Sequence, residues 1–360
     1  MPARVLPPKL LTLQDYEAQA ARVLSKMAFD YFRAGTESGA TLAENTRAFE
    51  RLKLRPRILV DVAARSAALT LAGHLLKLPV LVAPMAVQKL AHPEGEIGLA
   101  RAAAMAGTIF TASTLSTVTL EEIAKATAAP KWFQLYVHSD RAVTTALVRR
   151  AENAGYAALV LTVDVPVLGR RVLDVRNNFK LPRGLTMANL EPFVGNGGDS
   201  QLAEFFAARH DASLNWTDLK WLRSICGLPL WLKGVLRGDD ATRAIKAGVD
   251  GIIVSNHGGR QLDGAIASLD ALPDVVKAGR GRVPVLVDGG VRGGSDVIKA
   301  LALGANAVML GRPLLWGLAA GGAQGAASVF EILRGEIDRA LALCGCRSLA
   351  DITPDLVASI

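Results

Sequence analysis

The sequence predicts one (β/α)8 barrel, and three observations carry that prediction. Eight short apolar or β-branched runs recur along the chain. The stretches between them are amphipathic with helical spacing, several ending in glycine as at helix C-caps. No GxGxxG follows an early strand, which counts against a doubly wound dinucleotide-binding sheet, the competing α/β architecture. Strand–helix alternation points to parallel βαβ units, and eight of them close a barrel. The 360 residues would suit two average domains, yet α/β barrels reach this size as a single domain, and 1–360 is read as one. With 51% apolar residues, 5% aromatics and 34 glycines, the bias toward small aliphatics suits buried parallel strands and closely packed helices.

Taken in order, residues 1 to about 70 form an extension whose "LQDYEAQAARVLSKMAFDYFRAG" has helical spacing. The barrel is expected over about 78–345. Its strands are "PVLVAPM" from Pro79, "TIFTAS" from Thr108, "KWFQLYV" from Lys131 and "YAALVLTVD" from Tyr156. They continue with "LPLWLKGV" from Leu228, "GIIVSN" from Gly251, "VPVLVDGG" from Val283 and "AVMLGRP" from Ala307. Helices are expected at "GEIGLARAAAMAG", "RAVTTALVRRAENAG", "DDATRAIKAG" and "SDVIKALALGA", the last with Ser295 as its N-cap. Between the fourth and fifth strands, about 177–215 is a long insert whose "VGNGGDS" centre has loop composition. A loop of that length in a barrel hangs over the active-site face.

The net charge of +8 is dispersed, with short clusters only at "RLKLRPR" and "GRR". Without a basic stripe interleaved with aromatics, nucleic acid is excluded as a partner, and a field for anionic small molecules is expected. "MPARVLPPKLL" lacks the apolar core of a signal peptide, and the most apolar window is broken by His74, Lys77 and two prolines. The three cysteines, Cys226, Cys344 and Cys346, make no metal quartet and fit a reducing compartment. The expectation is a cytoplasmic chain with no membrane segment and no metal; Cys344 and Cys346 are read as packing residues on a late helix.

Barrel chemistry sits at the C-terminal ends of the strands. There the sequence places Pro84, Met85 and Ala86, then Ser113, Gln134 with Tyr136, and Thr162 with Asp164, "GRR" following soon after. Lys233, "SNHGGR", "DGGVRGG" and "GRP" complete the ring. Eight polar strand ends converging on one face are hard to explain as solvated loops. The glycine-rich turns holding Asp288, Gly289, Gly290 and Arg292, and then Gly311 and Arg312, have the composition of a phosphate cradle. Lys233 suits either a Schiff base or a charge that stabilises an anion on a neighbouring cofactor. His257 can act as a base oriented by Asp164, and Arg171 and Arg260 have the fork geometry for a carboxylate.

Together "FDYFRAG", "LRPRILVDV", "APMAVQKLAHPEGE", "WFQLYV", "LTVDVPVLGRR", "LKGV", "SNHGGRQLDG", "VDGGVRGG" and "GRP" resemble the FMN-dependent α-hydroxy acid oxidases from about Leu11 to Leu349. The resemblance implies FMN as cofactor and His257 as the base that takes a proton from a 2-hydroxy acid, oriented by Asp164. It implies Arg260 and Arg171 gripping the substrate carboxylate, Tyr31 assisting, and Tyr136 hydrogen-bonding the substrate oxygen. Lys233 would sit at the flavin N1/O2 edge, with Pro84, Met85, Ala86, Ser113, Gln134, Thr162 and Ser255 around the ring. Asp288, Gly289, Gly290, Arg292, Gly311 and Arg312 would hold the ribityl phosphate. Met85, Leu115 and, from the insert, Phe206 would border the substrate's C3 end. Where plant glycolate oxidases have tryptophan and threonine, this chain has Leu115 and Met85, which makes the pocket more apolar.

The insert lacks the membrane-binding segment of the family's dehydrogenases, and neither a haem domain nor a peroxisomal tripeptide is recognised. The expected activity is oxidation of a short L-2-hydroxy acid, L-lactate first, with O2 reduced to hydrogen peroxide by a homo-oligomer (tetramer or octamer). Glycolate or mandelate oxidation, a dehydrogenase or monooxygenase on the same barrel, and a phosphate-binding sensor are the alternatives.

Overall fold

A computed structural model describes residues 10–194 and 209–359 of the chain. Among these, eight parallel strands form one sheet: β1 Val80–Val82, β2 Phe110–Ser113, β3 Lys131–Leu135, β4 Ala158–Thr162, β5 Leu230–Val235, β6 Gly251–Val254, β7 Val285–Asp288 and β8 Ala307–Leu310. All eight lie within the apolar runs picked out by sequence. Parallel ladders run from β2 round to β8 and on to β1. The ring closes between β1 and β2, where the Val82 N–H donates to Ile109 O at 3.0 Å and the Lys77 N–H to Gly107 O at 3.0 Å.

Because side chains alternate along a strand, each barrel strand sends every second residue inward. The interior fill is Leu81, Trp132, Val160, Trp231, Ile253, Leu286 and Met309, plugged from below by Leu71 and Leu76. Those two belong to a small antiparallel hairpin, Leu69–Leu71 with His74–Leu76. Trp132 and Trp231 pack with ring centroids 4.6 Å apart and planes tilted 35°, and Gly251 is required beside them because a Cβ there would collide with the Trp231 ring. Two residues further along six of these strands, the inward positions are Gln134, Thr162, Lys233, Ser255, Asp288 and Gly311. The polar strand ends are thus the top layer of the barrel interior.

The extension folds as Leu13–Val23, Lys26–Arg33 and Ala40–Arg51. Its first helical pattern is two helices, because Ser25 accepts the Ala28 N–H as an N-cap and restarts the turn. A short strand, Leu52–Leu54, then pairs antiparallel with Val357–Ser359. The helix after β7 begins at Gly294 behind Gly293, not at a Ser295 cap, since the Gly294 N–H is already taken by Glu336 Oε2 at 2.7 Å. Cys344 and Cys346 lie just past the last helix, Arg312–Leu343, instead of on it; both are buried and unpaired, as is Cys226. No helix among the described residues is long and apolar enough to cross a membrane, and no cluster of potential metal ligands occurs among them.

Candidate active site

The strand tops and the loops beyond them enclose a cleft of about 1140 Å³, its open mouth included. Its walls bring together Tyr31, Pro84, Met85, Ala86, Ser113, Leu115, Gln134, Tyr136, Thr162, Arg171, Lys233, His257, Arg260, Asp288, Gly289, Gly290, Arg292, Gly311 and Arg312. Of the residues singled out by sequence, Asp164 and Ser255 stand one layer behind the wall, and Phe206 lies outside the described residues. Leu168, Val291 and Leu315 also line the cleft and carried no signal beyond being apolar.

The β6 loop supplies the reactive edge. His257 has φ +61°, followed by Gly258 at +63° and Gly259 at +71°. Three consecutive left-handed residues persist only when their surroundings fix them, the more so when one is histidine. Here the surroundings are long-range. Asn256 and Asn45 exchange side-chain hydrogen bonds at 2.7 and 2.8 Å, and Asn256 Oδ1 accepts the Gly259 N–H at 3.1 Å. Gly259 O accepts the Thr36 N–H at 2.9 Å, and Asp263 accepts the Ser38 and Thr41 N–H groups at 2.9 Å each. The extension therefore shapes the loop that holds His257. Sequence could suggest neither Asn45 nor this role, because partners more than 200 positions apart leave no local pattern.

In that conformation His257 Nδ1 lies 2.9 Å from Asp164 Oδ1, and Nε2 faces the Tyr136 hydroxyl at 3.4 Å. Gly234, at φ +111°, lets Asp164 in: a Cβ there would stand 2.5 Å from the Asp164 Cβ. Burial holds the imidazole below its ordinary pKa, with Asp164 opposing, so the ring is neutral at neutral pH and can accept a proton. Burial, reinforced by the Asp164 charge, raises the Tyr136 phenol well above its usual range, which keeps it a donor.

Lys233 donates to Ser255 Oγ at 2.9 Å and pairs with Asp288 Oδ2 at 2.8 Å. Burial pulls its ammonium down, but Asp288 and Asp164 outweigh burial and raise it, so it stays charged. A Schiff-base lysine needs its neutral form, and the anion-stabilising alternative is the one this geometry favours. Across the ring, Ser113 Oγ donates to Gln134 Oε1 at 3.2 Å and Gln134 Nε2 to Thr162 Oγ1 at 3.0 Å, which aligns polar groups along β2, β3 and β4.

Four guanidinium groups converge on the cleft. Arg260 donates to the Tyr31 and Ala34 carbonyls at 2.8 and 2.9 Å; burial and the like charge of Arg171 pull it down to about 10, still protonated. Arg312 donates to Phe32, Gly258 and Ala34 carbonyls at 2.9 to 3.0 Å. Burial lowers both Arg292 and Arg312, and the charges of Arg260 and Arg292 add to the burial effect at Arg312. Arg171 caps the short helix Val172–Arg176, and Tyr31 stacks on Phe179 at 4.4 Å beneath it.

These donors fit a phosphorylated flavin. Asp288 Oδ1 is buried without a partner, as a group that accepts from a ribityl hydroxyl would be. Gly289 and Gly290 have φ +88° and +91°, and any side chain on Gly290 would strike the Asn45 carbonyl. The N–H groups of Gly290, Val291 and Gly311 make no hydrogen bond among the described residues, and two half-buried arginines, Arg292 and Arg312, stand beside them. A phosphate dianion answers that charge and those donors at once.

A family model described as FMN-dependent dehydrogenase matches residues 20–359. An L-lactate oxidase from Nostoc sp. is 54% identical over 351 residues, covering 95% of this chain and 96% of the relative. A glycolate oxidase from Spinacia oleracea is 48% identical over 355 residues, covering 98% and 96%. Among solved structures, mandelate oxidase with (S)-4-hydroxymandelic acid superposes with a TM-score of 0.93 at 43% identity, covering 98% of this chain and 99% of that one.

Proposed function

The chain belongs to the FMN-dependent dehydrogenase family, and from that premise we propose that it oxidises short L-2-hydroxy acids, L-lactate best, to 2-oxo acids, with O2 reduced to hydrogen peroxide. FMN supplies the two-electron oxidation when bound. The observation that carries the reading is the His257–Asp164 pair at 2.9 Å, aimed with Tyr136 into a cleft flanked by Arg171 and Arg260.

In this reading, Arg260 and Arg171 take the substrate carboxylate and Tyr31 closes beside them. Tyr136 donates to a substrate oxygen, and His257 Nε2 takes a proton from the 2-hydroxy acid. Asp164 fixes the ring with Nε2 toward the substrate and favours the imidazolium that forms. Pro84, Met85, Ala86, Ser113, Gln134 and Thr162 would border the flavin ring, and Ser255 would support it from behind through Lys233. Lys233 would set a positive charge beside the flavin ring, Asp288 would accept from the ribityl chain, and Gly289, Gly290, Arg292, Gly311 and Arg312 would hold the phosphate. Met85 and Leu115 make the C3 end apolar, which favours lactate over glycolate.

We further propose that residues 1–360 act as one functional unit in a cytoplasmic homotetramer or octamer. The buried, unpaired cysteines suit a reducing compartment, and the exposed Ile58 and Leu59 suit a subunit contact. The test is oxygen uptake and peroxide yield with L-lactate, glycolate, L-2-hydroxybutyrate and S-mandelate on one preparation. Flavin reduction by lactate without oxygen uptake makes the enzyme a dehydrogenase. Glycolate equal to lactate removes the substrate assignment.

A further inference from the structure

Arg171 and Arg260 bring the same charge to the cleft but are satisfied differently. Arg260 is pinned by carbonyls of the extension, whereas Arg171 Nε is buried with no hydrogen-bond partner. Arg171 Nη1 lies 3.9 Å from Asp174 Oδ2, close enough for an ion pair and too far for a hydrogen bond. Asp174 Oδ1 is likewise buried and unpartnered. Each member of the pair thus keeps an unsatisfied polar atom, and each gains by exchanging its partner for a better one.

We infer that Asp174 is a displaceable counter-ion: it neutralises Arg171 until a 2-hydroxy acid arrives, then yields the guanidinium to the substrate carboxylate and takes up one proton from solvent. The proton joins a carboxylate oxygen of Asp174, no other bond changes, and the arriving negative charge is matched by the arriving proton. The inference rests on the proposed role of Arg171 as a carboxylate grip.

The surroundings say why the proton goes to Asp174. A second carboxylate brought to the same guanidinium disfavours the charged form of the one held less well. Arg171 faces Asp174 from its own segment, Arg260 from the β6 loop, and Asp30 from the helix Lys26–Arg33. Asp30 is tied to Lys26, Arg33 and Asn177, and these partners overcome its burial to hold it near 2, so it stays charged and adds repulsion. Asp174 is pushed upward by burial, against the pull of Arg171 and Arg260. Removing Arg171 to the substrate takes away the nearer of those two cations. Asp174 is not on the cleft wall and acts through Arg171, as a positioning residue.

The test is calorimetric binding of 2-hydroxyisobutyrate, which has no hydrogen on C2 to oxidise, to the FMN-loaded protein. Titrations run between pH 5.5 and 7 in two buffers of different ionisation enthalpy. The wild-type protein is expected to take up protons on binding, increasingly toward lower pH. Asp174→Asn should lose that uptake, bind the anion several-fold more tightly, and show a KM for lactate that falls by more than kcat changes. Asp174→Glu, which keeps the charge, should keep the uptake. Weaker binding in Asp174→Asn with uptake equal to wild type reduces Asp174 to a structural brace and overturns the inference. So does wild-type binding without proton uptake, a result that stands even where the Asn variant fails to fold. If Arg171→Gln binds the anion as wild type does, the reading of Arg171 itself fails, and the inference with it.

Discussion

The β6 loop and the segment that follows β4 meet along one side of the cleft, and each presents an arginine to it. The first is fixed from far along the chain. Asn45, Thr36, Ser38, Thr41 and the Tyr31 and Ala34 carbonyls all bond to residues 256–263. The second is held at fewer points: Gln261 bonds Val167 O at 2.8 Å and the Gly169 N–H at 3.1 Å, Arg170 O accepts the Glu37 N–H at 3.0 Å, and Asn177 donates to Asp30 at 2.8 Å. Between those points the Arg171 side chain rests on a loose ion pair, and Val167 and Val175 are exposed. The difference separates two requirements. Acid–base chemistry needs atoms held to a fraction of an ångström, while recognition of varied side chains tolerates a wall that adjusts.

The largest expected effect falls on the fixed side. His257→Gln should leave FMN bound and slow flavin reduction by L-lactate about 10²- to 10⁴-fold, the usual cost of a missing general base. In the unsubstituted enzyme kcat/KM should fall on the acid side as the imidazole protonates; because burial lowers its pKa, that limb lies below the ordinary histidine range. Stopped-flow reduction of the variant at near wild-type rate removes His257 from the chemistry.

Next come the two arginines, which test the contrast directly. A lysine keeps the charge but loses the planar fork. Arg260→Lys also abandons the two carbonyl bonds that set its position, so it should lose more kcat/KM than Arg171→Lys, with FMN content near wild type in both. Equal losses would mean that the carbonyl clamp on Arg260 contributes nothing to its function.

Asn45→Ala probes the clamp at a distance from substrate. It leaves Asn256 buried with its amide partly unpaired, a cost of about 1–3 kcal/mol. The melting temperature should drop, and kcat should fall with it, since the loop from His257 to Gly259 loses one of the bonds that oppose its left-handed strain. A lower melting temperature with unchanged kcat would show that the loop keeps its shape without Asn45.

Which of these features could be read from the sequence follows from the range of the interactions. All eight strands were legible because a buried parallel strand is a local apolar run, and the top-layer residues followed from their place at its end. Lys233, Asp288 and His257 could be named that way. Asn45 could not, nor the carbonyls of Tyr31, Phe32 and Ala34, because a backbone acceptor leaves no mark on residue type and its donor lies more than 200 positions away. The Ser295 cap was misjudged because two glycines precede it and Glu336, from the last helix, caps in its place. Strands of three residues, such as Leu52–Leu54, are too short to show a period.

The smallest effect belongs to the apolar end of the pocket, and it bears on which acid the enzyme prefers. Leu115 is buried and lines the cleft at the turn beyond β2, as Met85 and Tyr136 line it elsewhere. Its backbone is fixed: the Leu115 N–H donates to Ser113 Oγ at 3.1 Å, and Leu115 O accepts the Val87 N–H at 3.0 Å. A larger side chain there cannot be relieved by backbone movement and must take its space from the cleft. Leu115→Trp should therefore fill the room beside the substrate's C3 end, where lactate has a methyl group and glycolate has none. One methylene-sized difference in an apolar pocket is worth about 1–3 kcal/mol, or about 10- to 200-fold in kcat/KM, and a partial loss lies at the lower end. The lactate-to-glycolate ratio should fall by about tenfold, chiefly through lactate, and S-mandelate should lose more than either because its ring needs the same space. A ratio unchanged in Leu115→Trp would place the preference elsewhere, with Met85 or the insert as its source.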